Sequence, residues 1–315
     1  MQILNNISKY LVFVLLSCSL VMVWDGANND ISDWHFSTPQ QTSTELAAAK
    51  SSASIWDSMR NEFKLDHKTQ SARVQAEIRK LLADQEKLNQ ILQAAAPYIY
   101  FIHQQTQAHG LPAELALIPF VESEFNPNDK SKKGATGLWQ LMSGTAHELG
   151  VKIKSNYDGR RDVIASTNAA LAYFRDLGNN FKGNWYLAIA AYNCGQGKVE
   201  SVTRHAGTNS FWDLNKLPRE TKLYVPKLLA VAAIIDNPAK YGVQLPQIEN
   251  EPYFTQLTYK KYTDLPKVAK TEGISMATLR TLNPDYKHGI VAKKNGYTVL
   301  VPVDKAQSSV TTLNA

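Results

Sequence analysis

Leu111-Pro112-Ala113-Glu114-Leu115-Ala116-Leu117-Ile118-Pro119-Phe120-Val121-Glu122-Ser123-Glu124-Phe125-Asn126-Pro127 runs from a helix start to a helix stop and leaves one carboxylate at the far end. Pro112 fits the first turn of a helix, and Glu114 lies near its positive end. Leu115, Ile118, Phe120 and Val121 make the helix apolar on nearly every side, so it is expected to be buried. Glu122 then arrives at the C-terminal end of a core helix, one turn after Ile118, where burial disfavours the charged carboxylate and raises its pKa. A carboxyl that keeps its proton near neutrality can serve as a general acid. Taken alone, the same residue reads more readily as a helix-end carboxylate paired with a nearby lysine. The surroundings favour chemistry: Asn126-Pro127 ends the helix, Ser131 lies in a polar loop, and Gly134 and Gly137 let backbone approach a ligand closely.

The bulk numbers frame this segment. A chain of 315 residues with 44% hydrophobic content can bury one core of ordinary size and a second small one, which predicts a main domain with an appendage. The net charge of +6 and the pI near 9.1 suit an anionic partner. Lys130, Lys132 and Lys133, and the pair Lys260 and Lys261, are not interleaved with the aromatics or glycines of a nucleic-acid module. They read as solvated surface, and no nucleic acid is expected. Seven histidines show no paired ligand spacing, so neither metal nor cofactor is indicated. Gly195-Gln196-Gly197-Lys198 lacks the glycine spacing and the hydroxyl residue of a phosphate loop. Cys194 with His205 reads as a small buried hydrophobe rather than a thiol nucleophile.

Residues 1–26 read as an export signal: Lys9 precedes an apolar or small run from Leu11 to Trp24 that stops at Asp25. The run is short for a membrane span. Leu15-Leu16-Ser17-Cys18 also fits a lipoprotein signal, so a plain signal, an uncleaved N-terminal anchor and anchoring through a lipidated Cys18 all stay open. Residues 27–43 are polar and aperiodic and read as a tether. Residues 44–110 form a helical lead-in. There Ile55, Met59 and Phe63 share a face, and Val74, Ile78, Leu81, Leu88 and Ile91 suggest one long helix to about Ala95. A further helix covers Tyr98 to Ala108 and stops at Gly110. Beyond the central segment, Val163 to Leu177, Trp185 to Tyr192, Val199 to His205 and Arg219 to Ile235 are helical, with Pro226 expected to kink or split the last. Residues 246–252 read as a linker.

Glu122-Ser123, Gly137-Leu138-Trp139-Gln140 and Ala191-Tyr192-Asn193-Cys194-Gly195 follow one another in the order of three motifs of the soluble lytic transglycosylase domain. Residues 111–245 resemble that domain, whose fold is similar to goose-type lysozyme. Ser54 to Phe63, Pro97 to Gly110 and Glu220-Thr221-Lys222-Leu223-Tyr224-Val225-Pro226-Lys227 resemble the membrane-bound D-type subfamily. The resemblance implies a mainly α, lysozyme-like enzyme of the bacterial cell envelope, exported to the periplasm and acting on peptidoglycan glycan strands as a monomer. It implies that Glu122 is the catalytic acid and base, and that Ser123, Ser131 and Gln140 lie in the sugar groove. Tyr192 and Asn193 would flank the carboxyl, with Glu220 and Tyr224 supporting it. Cys194 stands where a smaller residue is common, and Met142-Ser143 where a proline follows Met or Ile.

The chemistry read from the residues agrees. Most glycosidases use two carboxyl groups across the scissile bond. Glu124 is two positions from Glu122, so on a helix the two point to different sides, and Asp129 reads as paired with Lys130 or solvent. A single carboxyl is preferred, with the sugar's own N-acetyl group stabilising the cationic centre. The resemblance supplies the last step: the 6-hydroxyl closes on the anomeric carbon to give a 1,6-anhydro-muramoyl end. Ordinary hydrolysis, and a scaffold that only binds glycan, remain as alternatives. Trp139, beside Leu138 and Leu141, reads as core.

Residues 253–303 differ in kind. A β-prone stretch, two short helices and a closing strand give a small α+β unit in the order β, α, α, β, which resembles a LysM domain; residues 304–315 form a tail. Leu282-Asn283-Pro284 and Leu300-Val301-Pro302 carry that likeness, while Tyr262-Thr263-Asp264 departs from the usual Gly-Asp-Thr start. The unit either binds glycan or only packs.

Overall fold

A computed structural model of the chain describes residues 54–291 and 297–304. The export segment with Cys18, the tether and the start of the lead-in lie outside the described residues. The described part of the lead-in opens on α1 (Ile55–Arg60), capped by Ser54, and Phe63 falls beyond its end. The long helix expected up to Ala95 is two: α2 (Ala72–Leu82) and α3 (Gln85–Ala94). Asp84 accounts for the break, since its side chain accepts from the Lys87 N–H at 2.9 Å and starts a new helix. The apolar stripe simply continues across the joint. Helix α4 (Ile99–Ala108) follows as expected.

Pro112 caps a 3₁₀ turn, Ala113–Leu117, rather than entering an α-helix, and α5 (Ile118–Ser123) begins directly after it. Glu114, expected near a helix dipole, is instead fully buried. Its Oε1 accepts from the N–H groups of Lys64 and Leu65 at 2.9 and 2.7 Å and lies 3.2 Å from His67 Nε2, which ties the loop after α1 to the 3₁₀ turn that leads into α5. Short helix α6 (Ser143–Glu148) precedes α7 (Val163–Asn180), whose first N–H groups are capped by Asp162. Helices α8 (Trp185–Cys194) and α9 (Gln196–Ala206) meet at Gly195.

Helix α10 (Arg219–Asp236) runs through Pro226 without a break, against expectation. Val225, Pro226, Leu228, Leu229, Ala230, Val231 and Ala232 are all buried, so packing on every side holds the helix across the missing N–H. It forms the axis of the domain, in contact with α1, α2, α5, the 3₁₀ turn and α8.

Residues 246–252 are no free linker. Trp56 Nε1 donates to Pro246 O at 2.8 Å, Ile55 N–H donates to Ile248 O at 2.9 Å, and Ser54 and Glu249 form an antiparallel bridge. The small C-terminal unit follows the expected order: β1 (Phe254–Tyr259), α11 (Leu265–Glu272), α12 (Met276–Leu282) and β2 (Tyr297–Pro302). The strands pair antiparallel from Phe254 with Pro302 to Tyr259 with Tyr297. Asn283 is buried and bridges α12 to β2. Its amide donates to Leu279 O and Leu300 O at 2.9 and 2.8 Å, and its carbonyl accepts from Leu300 N–H at 2.8 Å.

Candidate active site

Helix α5 is held by burial. Ile118 and Phe120 are wholly enclosed, and the chain leaves the helix through two successive left-handed residues, Glu124 at φ +52° and Phe125 at φ +58°. Such residues cost of order 1–3 kcal/mol each and persist only when packing fixes them. The Phe125 ring supplies that packing, being 1% exposed, and its N–H donates to Pro119 O at 3.1 Å. The sharp turn leaves Glu122, the penultimate residue of α5, at the edge of a cleft of about 920 Å³. Glu124 points elsewhere, into an ion pair with Lys87 on α3 at 2.8 Å.

Tyr224 on α10 donates its hydroxyl to Glu122 Oε1 at 2.5 Å. Burial pushes the Glu122 carboxyl up to about 7, the Tyr224 bond pulls it back, the nearby Glu220 charge adds to the rise, and Lys227 opposes it. The group therefore exchanges its proton close to neutrality. The Tyr224 phenol, deeply buried beside that carboxyl, is held well above its ordinary value and stays a donor.

The three sequence motifs converge through the backbone of the second. Ser123 Oγ donates to Leu138 O at 2.9 Å, and Tyr192 Oη donates to Trp139 O at 2.7 Å. Trp139 is wholly buried, with Nε1 donating to Thr167 Oγ1 at 3.0 Å, so its place is the core. Gln140 lines the cleft in a left-handed conformation, φ +46°, with its amide donating to Gly137 O at 2.9 Å and Asp129 O at 3.3 Å. Arg160 closes the loop from below. Its guanidinium grips Asp158 with two bonds, Nε to Oδ1 at 3.0 Å and an η nitrogen to Oδ2 at 2.8 Å, while the other η nitrogen donates to Gly134 O at 2.9 Å.

Ser131, Gln140, Tyr192, Asn193, Glu220 and Tyr224 all line the cleft with Glu122. Ser123 does not, and its place among the sugar-binding residues is corrected. It is 5% exposed and its hydroxyl is spent on the Leu138 and Pro119 carbonyls. Tyr192 serves two roles: its ring stacks on Phe174 at 4.3 Å while the residue faces the cleft. Asn193 accepts from Thr221 Oγ1 at 2.7 Å, and its amide lies 3.5 Å from Glu220 Oε1. Cys194 is half-buried and burial raises its thiol pKa, which keeps it a thiol.

Sequence reasoning missed Glu77, Lys80, Tyr173, Met142, Leu223 and Lys227, which also line the cleft. Leu223 and Lys227 were legible as the helical continuation of Glu220 and Tyr224 along one face of α10. Glu77, paired with Lys80 at 2.6 Å, carried no such signal. Met142 and Leu223 are 44% and 39% exposed, giving the polar cleft two apolar surfaces on which a sugar face can lie.

Residues 99–215 match the transglycosylase SLT domain, a stretch that holds Glu122, Gln140 and Tyr192, and residues 253–315 match the LysM-like domain of lytic transglycosylase MltD. The chain is 36% identical over 252 residues to membrane-bound lytic murein transglycosylase D of Escherichia coli (strain K12), covering 79% of this chain and 55% of that protein. It is 31% identical over 130 residues to membrane-bound lytic murein transglycosylase F of Shewanella oneidensis, covering 38% of this chain and 26% of that protein. Among solved structures, an inactive mutant of lytic transglycosylase Slt from Pseudomonas aeruginosa is 27% identical, with a TM-score of 0.37 over 45% of this chain and 24% of that one. The chain thus spans about half the length of the transglycosylase D relatives it matches. Two stretches of the chain, residues 99–215 and 253–315, are thus similar to the transglycosylase SLT domain and to the LysM-like domain of lytic transglycosylase MltD.

Proposed function

We propose that this chain is a peptidoglycan lytic transglycosylase of the cell envelope that cleaves the β-1,4 bond between N-acetylmuramic acid and N-acetylglucosamine. The observation that carries this reading is the Glu122 carboxyl, burial-shifted to about 7 and held by Tyr224 at the edge of an open, sugar-sized cleft. Protonated Glu122 donates to the bridging oxygen while the N-acetyl carbonyl of the muramoyl sugar stabilises the cationic centre. The carboxylate then takes the proton of the 6-hydroxyl as that oxygen closes on the anomeric carbon, and no water is consumed. A group that titrates near neutrality can both give and recover a proton at small cost. Tyr224 would keep the carboxyl oriented through both steps. Ser131 and Gln140 would hold the muramoyl sugar, with Tyr192, Asn193 and Glu220 shaping the wall beside the acid. An envelope location is supported by relatives named as membrane-bound and by the export-like segment at 1–26; among the described residues no helix is long and apolar enough to cross a membrane.

Purified protein incubated with peptidoglycan, followed by mass analysis of the released muropeptides, tests the reading. Anhydro-muramoyl ends are expected. Reducing ends would make the protein a hydrolase, and no release would leave a glycan-binding scaffold.

A further inference from the structure

The C-terminal unit meets the catalytic domain along a hydrogen-bonded seam. Asp158 N–H donates to Asp285 O at 3.0 Å, Lys287 N–H donates to Asn156 O at 3.1 Å, and Tyr157 pairs with Tyr286 as an antiparallel bridge with ring centroids 6.0 Å apart. The Tyr157 ring belongs to the core of the C-terminal unit, beside Leu265, Val268 and Val301. Its hydroxyl donates to Asp162 Oδ2 at 2.8 Å, the residue that caps α7. The seam therefore fixes residues 156–158 from both sides.

Those residues lead straight to the cleft. Burial alone would raise the Asp158 carboxyl, yet the Arg160 guanidinium beside it holds it below the usual range, so the pair is ionised. The same guanidinium reaches both ends of the loop that presents Gln140, at Gly134 O and Leu141 O, 2.9 and 3.4 Å away. That loop holds Gln140 in a strained left-handed conformation, and a Cβ added at Gly137 would meet the Arg160 carbonyl. A strained loop keeps its shape only while its surroundings enforce it. The enforcing group, Arg160, is buried and gripped by an aspartate whose own backbone is held by the C-terminal unit.

We propose that the C-terminal unit is a brace for the catalytic cleft: through the seam between 156–158 and 285–287 it sets Arg160, and through Arg160 the loop that carries Gln140. The unit thus acts on the cleavage of short soluble glycans, where retention on an insoluble wall plays no part. The proposal rests on the cleft being the site of glycan cleavage.

The test uses the full chain. Tyr286→Ala loosens the seam at a residue remote from Glu122, Tyr286→Phe keeps the ring, and Asp158→Asn weakens the grip on Arg160 without touching the seam's backbone bonds. Steady-state cleavage of a soluble muramoyl oligosaccharide is measured together with amide exchange. Tyr286→Ala and Asp158→Asn are expected to raise KM about 5- to 10-fold, a coupling of the size that packed networks transmit. The pH limb set by Glu122 should stay in place, because Glu122 and Tyr224 lie on other elements. Amides of 134–141 should exchange faster in both variants, and Tyr286→Phe should return KM and exchange to wild type. Wild-type KM in Tyr286→Ala despite faster exchange at 156–158 would overturn the brace, as would a loss confined to insoluble wall. Should the alanine variant fail to fold, Tyr286→Leu, which removes the ring contact with Tyr157 but keeps an apolar side chain, decides by the same two readouts. If the wild-type protein cleaves nothing, the functional reading fails, and exchange at 134–141 in the seam variants then decides the brace by itself.

Discussion

At the residue scale the molecule turns on Glu122. Its carboxyl has an ordinary value of 4.5 and titrates at about 7 in the fold, so the folded state holds the proton more tightly than the unfolded chain. A raised acid of this kind lends its full stability below pH 4.5 and loses it as pH rises through about 7. The loss amounts to about 3 kcal/mol at the usual free energy per pH unit. Glu122→Gln, which keeps the shape and removes the charge, should therefore be more stable than wild type at pH 8 by up to about that amount, with the gap closing below pH 4.5. Urea melts of both proteins at the two pH values check this, and an equal gap at both would refute a buried, proton-holding carboxyl. Cleavage should fall about 10²- to 10⁴-fold or more in the same variant, the range that a lost general acid produces, while glycan binding persists. In wild type the rate should decline as pH rises through about 7, because the first step needs the protonated acid. The sequence disclosed this residue and the sign of its shift, since an acid ending an apolar helix is desolvated wherever the helix packs. It did not disclose that Ser123, its neighbour, turns inward; that depends on where Leu138 O lies, fifteen positions along the chain.

At the scale of elements, the loop of 134–141 shows what motif spacing is for. The Leu138 and Trp139 carbonyls are claimed by Ser123 on α5 and Tyr192 on α8, so the residues that recur across the three motifs hold one another. Gly137 is the tightest point. At φ +87°, a Cβ there would lie 1.9 Å from Arg160 O, a backbone atom with no room to yield. Gly137→Ala should cost about 3 kcal/mol or more through strain and forced displacement of the loop, and should depress activity even where the fold survives. Thermal melting alongside cleavage measures both; a variant with wild-type melting and turnover would show that the loop is not anchored as described. Helix boundaries tell the same story of local against distant forces. Asp84 carries a capping signal that an unbroken apolar stripe hid, and Pro226 carries a breaking signal that burial on all sides overrode.

At the scale of the whole molecule, the expected linker and appendage are joined to the main body. Residues 246–248 are strapped to α1, Phe254 packs on Phe101 with centroids 5.5 Å apart, and Tyr98 Oη donates to Thr281 O at 3.0 Å. Leu282 and Leu300 from the C-terminal unit lie in the main core, while Tyr157 from the catalytic domain lies in the smaller one. Two cores that exchange side chains are expected to unfold together. Calorimetry should show one cooperative transition for the described body, with calorimetric and van't Hoff enthalpies in agreement. Two resolved transitions would mean that the seam carries no stability.

Sequence alone determined the helices that bear the acid, the order of the three motifs, the β, α, α, β unit, and the residue types around a single carboxyl. These are legible because periodicity, capping and turn chemistry act within about one helical turn of a residue. Only the tertiary structure decided that Glu77 and Lys80 of α2 and Lys227 of α10 share the cleft with Glu122, that Ser123 faces the core, and that the C-terminal unit bonds to residues 156 and 158. Those relations join segments far apart in the chain. They are fixed by which apolar faces fit together and which buried polar groups find partners, and neither is encoded by spacing along the chain.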